Sequence, residues 1–549
     1  MPIQLTKPMV LIIMDGWGIA PPGAGNAVSL SKLTNLPKLW ASFPHGRLAA
    51  SGEAVGLPKG EDGNTETGHL NLGAGRVVYQ DLPRINMAIA DGSFFQNEAF
   101  LSAISHAEGH MSTIHIMGLI GSGGVHSNIE HLFALLWFMH NSGCARVALH
   151  LITDGRDSPP KSAQTYIRQI EDEIARVGVG KIASVTGRYY AMDRDQRWER
   201  TEKAYVALTE GKGFTATDPL AAVDQAYQRG ETDEFIQPTL ITENGTPVGL
   251  VKHGDVVIFF NYRIDRPRQL TKAFVLPDFT ERAKQTDYDP YAIKYFKKHD
   301  VHQEVHEPFK RTTFVENLYF VTMTEYERKL PVTVAFPEQI VANPIGKVIA
   351  DAGLKQLRVS ETEKERFVTY YFNGQRDEPL PNEDHIIVPS SKVPTYDLKP
   401  EMSAAETTEQ LLNKLSENKY DFIVINYANP DMVAHTGNIE AAKIACQVTD
   451  ECVGKVVAKI LELNGCCMIT ADHGNVEEMI DPVTGGVDTE HSTYPVPVLC
   501  IAKRLEGKAQ ELPQGMLADV APTALALMGL NIPSSMNGRN LLSYIQGGS

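Results

Sequence analysis

Cysteine, positive charge and long apolar runs are all scarce in this sequence of 549 residues. It has six cysteines and no CxxC pair, which argues against a disulfide-stapled secreted protein and against a cysteine-ligated zinc site. The formal net charge of −16 argues against general nucleic-acid binding, because phosphate backbones attract basic surfaces. No run reaches membrane-spanning length, and MVLIIM near the N-terminus is too short for the apolar region of a signal peptide. We therefore expect a cytoplasmic protein with neither nucleic acid nor membrane as a partner.

The strongest pattern in the chain is a set of short apolar runs that end in polar residues and precede helical periodicity. Such runs are typical of parallel strands covered on both faces. The clearest are PMVLIIMDGWG (8–18), ARVALHLITDGRD (145–157), GDVVIFFNYRIDR (254–266), DFIVINYANPD (421–431) and GCCMITADHGN (465–475). Residues 438–461 carry apolar side chains three or four apart, which predicts a helix packed on a sheet. The alternation predicts an α/β protein, and the length predicts more than one domain.

Aspartate and histidine recur where three of these runs end and again in DTEHSTYPVP. In chain order they are Asp15, Asp431, His435, Asp472, His473 and His491. The spacing of Asp431 and His435 puts both side chains on one face of a helical turn. In open α/β sheets, ligands gather beyond the carboxyl ends of the strands. Three carboxylates and three imidazoles suit Mn²⁺ or Zn²⁺ rather than Ca²⁺, so the pattern predicts a site for two divalent metals.

Each of these residues also has a simpler interpretation. An aspartate at a strand end is more often a turn or a helix cap, and a lone histidine is more often a surface or core residue than a ligand. What favours metal binding is the combination at one predicted edge of one sheet. From the residues alone both interpretations stay open.

Arginines interleaved with aspartates recur in the middle of the chain. Those near predicted strand ends are Arg156, Arg188, Arg194, Arg263 and Arg266. Arginine binds carboxylate or phosphate in bidentate fashion, so the cluster predicts a small anionic ligand; the alternative is a solvated face of Arg–Asp pairs. The run GLIGSGGVHS (118–127) adds a glycine-rich turn that reaches His126, without the GK[ST] of a P-loop.

Thr65 lies in EDGNTETGHLNLGAGR (61–76), a segment too polar for a core strand and too glycine-rich for a helix along its whole length. Beside two metals its hydroxyl is a candidate nucleophile that becomes phosphorylated. The glycines around it let the backbone approach a phosphate without a Cβ clash. The alternative is that Thr65 serves as a helix N-cap, a role compatible with catalysis.

The sequence also resembles the cofactor-independent phosphoglycerate mutases of the alkaline phosphatase superfamily, from about residue 8 to 545. The motifs that carry the resemblance are MDGWG, GNTETGHLNLGAGRVVYQD, GGVHS, TDGRD, GRYYAMDRD-x-RWER, NYRIDR, QLRVSETEK, TYDLKPEMSA, NYANPDMVAHTGN and TADHGN. The resemblance implies a phosphatase-like metal domain with a doubly wound sheet, made of residues 1–80 and 336–549. It implies an α/β substrate domain inserted at 81–335. We expect a monomer.

The resemblance further implies interconversion of 3-phosphoglycerate and 2-phosphoglycerate through a phosphoenzyme, with two metals, usually manganese. One metal would be held by Asp431, His435 and His491, and the other by Asp15, Asp472, His473 and Thr65. The substrate would be held by His126, Arg156, Asp157, Arg188, Arg194, Arg263, Arg266 and Lys364. Thr65, Asp157 and Lys364 are implied as the catalytic residues, with Asp157 as the acid/base for the glycerate hydroxyls. A closed interdomain cleft is implied as the means of excluding water.

Two positions depart from the family pattern. Thr65 stands where the family has serine, and threonine is bulkier and stiffer at χ1. Glu365-Arg366-Phe367 stands where the family has an aromatic, a small residue and histidine, which alters the surroundings of Lys364. We expect phosphoryl transfer to be retained with threonine.

Two rival functions remain at this stage. The first is a metal-dependent phosphatase or phosphomutase of the same superfamily acting on another small phosphorylated molecule. The arginine motifs favour the mutase, because a simple phosphatase needs no second clamp for a carboxylate. The second is a non-catalytic binding protein, which would typically have lost metal ligands, whereas all six Asp and His positions are filled here.

Overall fold

The computed structural model describes residues 5–283 and 307–545. The chain forms two compact units. Unit 1 contains the residues up to Pro83 and those from Gln339 onward, and unit 2 is Arg84–Glu338. Within the described residues no helix is long and apolar enough to cross a membrane.

Unit 1 is built on an eight-stranded sheet, with strands and helices numbered here in chain order. Its strands are β1 (Met9–Met14), β2 (His45–Ala49), β12 (Gln356–Glu361), β13 (Glu383–Val388), β14 (Phe422–Tyr427), β15 (Cys466–Thr470), β16 (Val496–Ala502) and β17 (Gly515–Met516). They are arranged in the order β13-β12-β14-β1-β15-β16-β2-β17. The first five are mutually parallel, and β16 is antiparallel to both neighbours. Every residue of β1, β14 and β15 is buried, which is why their sequences read as unbroken apolar runs.

Helices cover the sheet of unit 1. They are α1 (Ala27–Leu30), α2 (Leu36–Trp40), α3 (Thr65–Ala74), α13 (Ile345–Asp351), α14 (Ala404–Ser416), α15 (Asn429–Ala434), α16 (Ile439–Glu462) and α17 (Val520–Met528). The helix α4 (Asp81–Asp91) contains the boundary at Pro83.

Unit 2 is built on a nine-stranded sheet of its own. Its strands are β3 (Ile114–Ile120), β4 (Val147–Thr153), β5 (Lys181–Gly187), β6 (Phe214–Ala216), β7 (Thr239–Glu243), β8 (Thr246–Pro247), β9 (Val256–Phe259), β10 (Tyr319–Thr324) and β11 (Thr333–Phe336). Their order is β11-β10-β9-β3-β4-β5-β7-β6, with β8 paired to β7. Its helices are α5 (Glu98–His110), α6 (Ile129–Asn141), α7 (Ala163–Val177), α8 (Arg188–Ala191), α9 (Trp198–Glu210), α10 (Pro219–Gln228), α11 (Arg268–Val275) and α12 (Phe279–Arg282).

The α/β class predicted from the sequence is confirmed, and the five apolar runs are the strands β1, β4, β9, β14 and β15. They divide between the two sheets, with β14, β1 and β15 side by side in unit 1. The helix predicted over 438–461 is α16. Its buried stripe includes Ala442, Ala445, Cys452, Val456 and Ile460.

The segment around Thr65 contains α3, and the alternative that Thr65 serves as its N-cap is wrong. The N-cap is Asn64, whose side chain accepts a hydrogen bond from the Thr67 amide at 2.9 Å. Thr65 is instead the first helical residue, so its hydroxyl is not used as a cap. The helix ends at Ala74, and Gly75 follows it with a φ of 63°, in the left-handed region that favours glycine.

Candidate active site

Three buried carboxylates meet at the carboxyl edge of the sheet in unit 1. Asp15 directly follows β1, Asp472 follows β15, and Asp431 lies in α15 just after β14. Because these three strands are parallel neighbours, their ends bring the side chains together. All three aspartates are at most 1% exposed.

Asp431 forms one cluster with two histidines. Its Oδ1 lies 3.3 Å from His435 Nε2 and 3.4 Å from His491 Nε2, and the two Nε2 atoms are 3.2 Å apart. His435 Nδ1 donates to the Thr489 carbonyl and His491 Nδ1 to the Gly63 carbonyl, both at 2.8 Å. These bonds turn both Nε2 atoms toward Asp431, as in histidines that ligate a metal.

Electrostatics in this cluster favour an added cation. Burial opposes a charge on His435, but Asp431 outweighs it and raises the histidine's pKa. Burial and His473 lower the pKa of His491. A divalent ion bound by all three side chains would satisfy the carboxylate and the two facing imidazoles together.

Thr65 lies in a second cluster beside the first. Its Oγ1 is 2.9 Å from His473 Nε2 and 3.2 Å from Lys364 Nζ. His473 Nε2 is also 3.5 Å from a carboxylate oxygen of both Asp15 and Asp472. Burial alone would lower the pKa of His473, yet Asp472 and Asp15 raise it to about 10. The surroundings of the Thr65 hydroxyl thus strongly favour positive charge.

Lys364 places its ammonium group among the carboxylates. Its Nζ is 2.7 Å from Asp15 Oδ1 and 2.8 Å from Asp431 Oδ2. Burial opposes this charge, but Asp15 and Asp431 outweigh burial and raise the lysine's pKa. The three buried aspartates still outnumber the positive charges of Lys364 and His473, and their oxygen and imidazole donors suit divalent cations.

The altered segment after Lys364 forms an irregular turn. A π-helical turn covers Phe367–Tyr371, and the Phe367 ring centroid lies 5.3 Å from Lys364 Nζ. The same ring is 5.8 Å from the ring of His69. Phe367 therefore supplies an aromatic face against the lysine.

Unit 2 contains the arginine cluster, with Arg188 buried at its centre. Its Nη1 donates to Asp154 at 2.5 Å and to Asp157 at 2.6 Å, and its Nη2 donates to His126 Nε2 at 3.0 Å. Burial, then the charge of Arg188, lowers the pKa of His126 to about 4, so this imidazole is neutral at pH 7. Burial opposes the charge of Asp157, but Arg188 outweighs it and lowers the carboxyl's pKa.

The other predicted arginines surround this core. Arg194 and Arg263 pair with Asp265 at 2.7 and 3.1 Å, Arg156 pairs with Glu234 at 3.1 Å, and Arg266 donates to the Met192 carbonyl at 3.2 Å. A cavity of about 240 Å³ is lined by five arginines and three carboxylates. The lining arginines are Arg156, Arg188, Arg197, Arg200 and Arg266.

Positive charge in this cavity exceeds negative charge. Burial and the like charges of Arg194 and Arg188 lower the pKa of Arg266 to about 10. An anion with more than one acidic group would relieve that repulsion.

Comparison with known proteins identifies the family. Residues 85–328 match the family model described as BPG-independent PGAM N-terminus. The chain is 51% identical over 541 residues to the 2,3-bisphosphoglycerate-independent phosphoglycerate mutase of Chloroflexus aggregans, covering 98% of both proteins. It is 50% identical to the enzyme of the same name from Clostridium beijerinckii, covering 98% of this chain and 99% of that one. This chain belongs to the 2,3-bisphosphoglycerate-independent phosphoglycerate mutase family.

A solved structure supports the same relationship. The chain resembles Leishmania mexicana phosphoglycerate mutase, determined at low cobalt concentration, with a TM-score of 0.57 and 28% identity. The match covers 98% of this chain and 97% of the other. Metal-dependent chemistry in this family agrees with the clusters of carboxylates and histidines in unit 1.

The structure brings most of the predicted site residues together within their units. The metal-ligand candidates and Lys364 converge in unit 1, whereas the predicted arginines, His126 and Asp157 lie in unit 2. Lys364 is predicted both as a catalytic and as a substrate-binding residue, and here it contacts Asp15, Thr65 and Asp431.

Sequence reasoning missed residues of the Thr65 cluster in unit 1 and of the arginine cluster in unit 2. His69 lies one helical turn after Thr65, and its Nδ1 is 3.2 Å from Asp472 Oδ2. The spacing of Thr65 and His69 on α3 is the signal that could have revealed it. Asp154 and Asp265 anchor the arginines, and Asp154 could have been found by the same strand-end argument as Asp15, because it directly follows β4.

Proposed function

We propose that this protein interconverts 3-phosphoglycerate and 2-phosphoglycerate in glycolysis and gluconeogenesis through a phosphothreonine at Thr65, without a bisphosphoglycerate cofactor. The observation that carries the proposal is the position of the Thr65 hydroxyl. It lies within hydrogen-bond distance of both His473 and Lys364, beside three buried aspartates, in a chain about half identical to such mutases. The proposed setting is cytoplasmic, with the enzyme a monomer.

The metal ligands are assigned from the two clusters. Asp431, His435 and His491 would hold one ion, and Asp15, Asp472, His473 and Thr65 the other. The mixture of oxygen and imidazole donors favours Mn²⁺. When bound, two such ions favour ionisation of a coordinated hydroxyl and offset the charge of a phosphoryl group in transfer.

Thr65 loses its hydroxyl proton to solvent and attacks the substrate phosphorus through Oγ1. A phosphorus–oxygen bond to Thr65 forms as the bond to the glycerate oxygen breaks, and that glycerate oxygen takes a proton. Lys364 offsets negative charge beside the hydroxyl. The start of α3 also favours an anion, since the first backbone amides of a helix carry partial positive charge.

The arginine cluster binds the glycerate carboxylate and phosphate. His126, Arg156, Asp157, Arg188, Arg194, Arg263 and Arg266 make up this proposed substrate set. Asp157 is the acid/base: as a carboxylate it takes the proton from one glycerate hydroxyl, and as an acid it returns a proton to the other oxygen. The hydroxyl that loses its proton then attacks the phosphothreonine, which regenerates free Thr65.

An assay with 3-phosphoglycerate and Mn²⁺, without 2,3-bisphosphoglycerate, tests the proposal. It follows 2-phosphoglycerate and free phosphate together. Formation of 2-phosphoglycerate with little phosphate is the expected result. Free phosphate alone would make the protein a phosphatase in practice. If neither 2-phosphoglycerate nor free phosphate forms, the substrate assignment is overturned.

A further inference from the structure

Glu477 is a buried carboxylate near the metal cluster that the proposed mechanism does not use. It lies four residues after His473 and is 2% exposed. Its Oε2 accepts hydrogen bonds from the Gly18 amide at 2.8 Å and the Asn475 amide at 2.9 Å. Its Oε1 accepts a hydrogen bond from the Ser492 hydroxyl.

These three donors lie in three chain segments, one in the loop after β1 and two in the single loop between β15 and β16, and each segment carries a metal-ligand candidate. Gly18 is three residues after Asp15, Asn475 is two residues after His473, and Ser492 directly follows His491. One carboxylate therefore joins the loop after β1 to the two ends of the loop between β15 and β16.

The connection extends to a fourth ligand through Asn475. Its side-chain Nδ2 donates to Asp431 Oδ1 at 2.8 Å, the same oxygen that faces His435 and His491. The backbone of this asparagine is fixed by Glu477 while its side chain orients the aspartate.

The loops are shaped around this carboxylate. A Cβ atom at Gly18 or at Gly474 would overlap the Glu477 carboxylate, so a larger residue at either position would displace that carboxylate. None of the ion pairs formed by residues 5–283 and 307–545 includes Glu477. A buried charge without a cation is unfavourable unless hydrogen bonds compensate it, and here Gly18, Asn475 and Ser492 provide them.

We propose that Glu477 is a positioning residue that sets the spacing of the metal ligands by holding together the three chain segments that carry Asp15, His473 and His491. The proposal rests on the ligand set of the proposed function. Loss of a group that hydrogen-bonds to metal ligands and orients them typically lowers metal affinity by roughly 10- to 100-fold. The consequence expected here is weaker metal binding, with lower activity as a secondary effect.

The test is calorimetric titration of metal-stripped protein with Mn²⁺. Glu477→Gln keeps the shape but replaces the carboxylate, and we expect its Mn²⁺ affinity to fall roughly 10- to 100-fold. The matched control is Asp450→Asn in the same unit. Asp450 is also a buried carboxylate, 1% exposed, and it accepts backbone hydrogen bonds from Thr34 at 2.8 Å and Leu36 at 2.6 Å. It should lose thermal stability without losing Mn²⁺ affinity.

A second variant decides the matter where Glu477→Gln does not fold. Ser492→Ala leaves the carboxylate in place and removes one donor, so it should weaken Mn²⁺ binding less than Glu477→Gln does. Wild-type affinity in whichever variant folds would overturn the proposal, as would an equal loss of affinity in Asp450→Asn.

The titration uses no substrate, which separates this proposal from the proposed function. A wild-type protein that binds Mn²⁺ but lacks mutase activity would contradict the mutase proposal and leave the role of Glu477 open to the same comparison of variants. A wild-type protein that binds no Mn²⁺ would overturn the ligand set and, with it, the role of Glu477.

Discussion

The Thr65 side chain combines a hydroxyl with a methyl group at a position that is 7% exposed. Thr65→Val keeps the shape and removes only the hydroxyl, so it should lower mutase activity by at least ~1000-fold, as expected on loss of a nucleophile. Acid-quenched wild-type enzyme should contain phosphothreonine by mass spectrometry, and the valine variant should contain none at this position. Substantial mutase turnover in Thr65→Val would rule out the nucleophile assignment.

Thr65→Ser provides the matched comparison. It keeps the hydroxyl within reach of His473 and Lys364 and removes only the methyl group. Serine is freer than threonine about χ1, so we expect activity to be retained or raised. An inactive serine variant with normal Mn²⁺ binding would show that the site depends on the methyl group for orientation.

Asp157 allows the substrate chemistry to be separated from metal binding. If it is the acid/base, Asp157→Asn should lower kcat by roughly 100- to 10,000-fold. Its Mn²⁺ affinity should be unchanged, because the metal-ligand candidates belong to unit 1 and Asp157 to unit 2. The exposed Asp172→Asn on α7 is the control and should keep wild-type kcat. An Asp157→Asn enzyme with near-normal kcat would remove this residue from the mechanism.

At the level of elements, α3 depends on a glycine that helix propensity alone disfavours. Gly68→Ala would favour an isolated helix by about 1 kcal/mol. Here a Cβ at Gly68 would lie 2.5 Å from the Asp472 carbonyl oxygen, so α3 must move away from the loop that carries His473. We expect Gly68→Ala to lower both the free energy of unfolding and kcat.

The control for that prediction is Gly109→Ala in α5. A Cβ there meets nothing within 4 Å, so the substitution should stabilise the protein slightly and leave kcat unchanged. Stabilisation by Gly68→Ala equal to that of Gly109→Ala would show that close packing at Asp472 is unimportant.

The same helix shows where prediction from sequence ends. The strands β1, β14 and β15 were predictable because their residues are buried on both faces, and the polar residues after them followed from the geometry of parallel sheets. The extent of α3 was not predictable, since its glycines oppose helix formation. Gly68 and Gly73 lie so close to Asp472 and Phe372 that a Cβ atom would overlap them, and both of these contact residues are distant in sequence. The role of Glu477 likewise depends on three chain segments that only the fold brings together.

At the level of the whole molecule, each unit should have its own response to conditions. In unit 2, burial lowers the pKa of His131 to about 4, below the value of about 6.5 expected when unfolded. The unfolded chain therefore binds more protons between these values, and stability should fall as pH decreases from about 6.5 to 4. The largest loss from this residue is about 3 kcal/mol.

His131→Gln removes this dependence. The free energy of unfolding, measured by denaturant titration from about pH 8 to pH 4, should fall less steeply in the variant than in the wild type. The difference at pH 8 isolates the lost contact with Asn86, where His131 Nε2 and the amide oxygen are 2.8 Å apart. Parallel pH profiles for the two proteins would contradict a neutral buried His131.

Metal binding should stabilise unit 1 rather than unit 2. An ion that binds only the folded state at 100 times its Kd stabilises that state by about 2.7 kcal/mol. All the metal-ligand candidates lie in unit 1, so Mn²⁺ should slow hydrogen exchange in β1 and β14 while leaving β3 and β4 of unit 2 unchanged, and chelation should reverse the effect. His491→Ala, which lacks one ligand of the Asp431 cluster, should show a smaller response. Equal slowing in both sheets would mean that the units unfold as one cooperative block, and no slowing in β1 would contradict the assignment of the metals to unit 1.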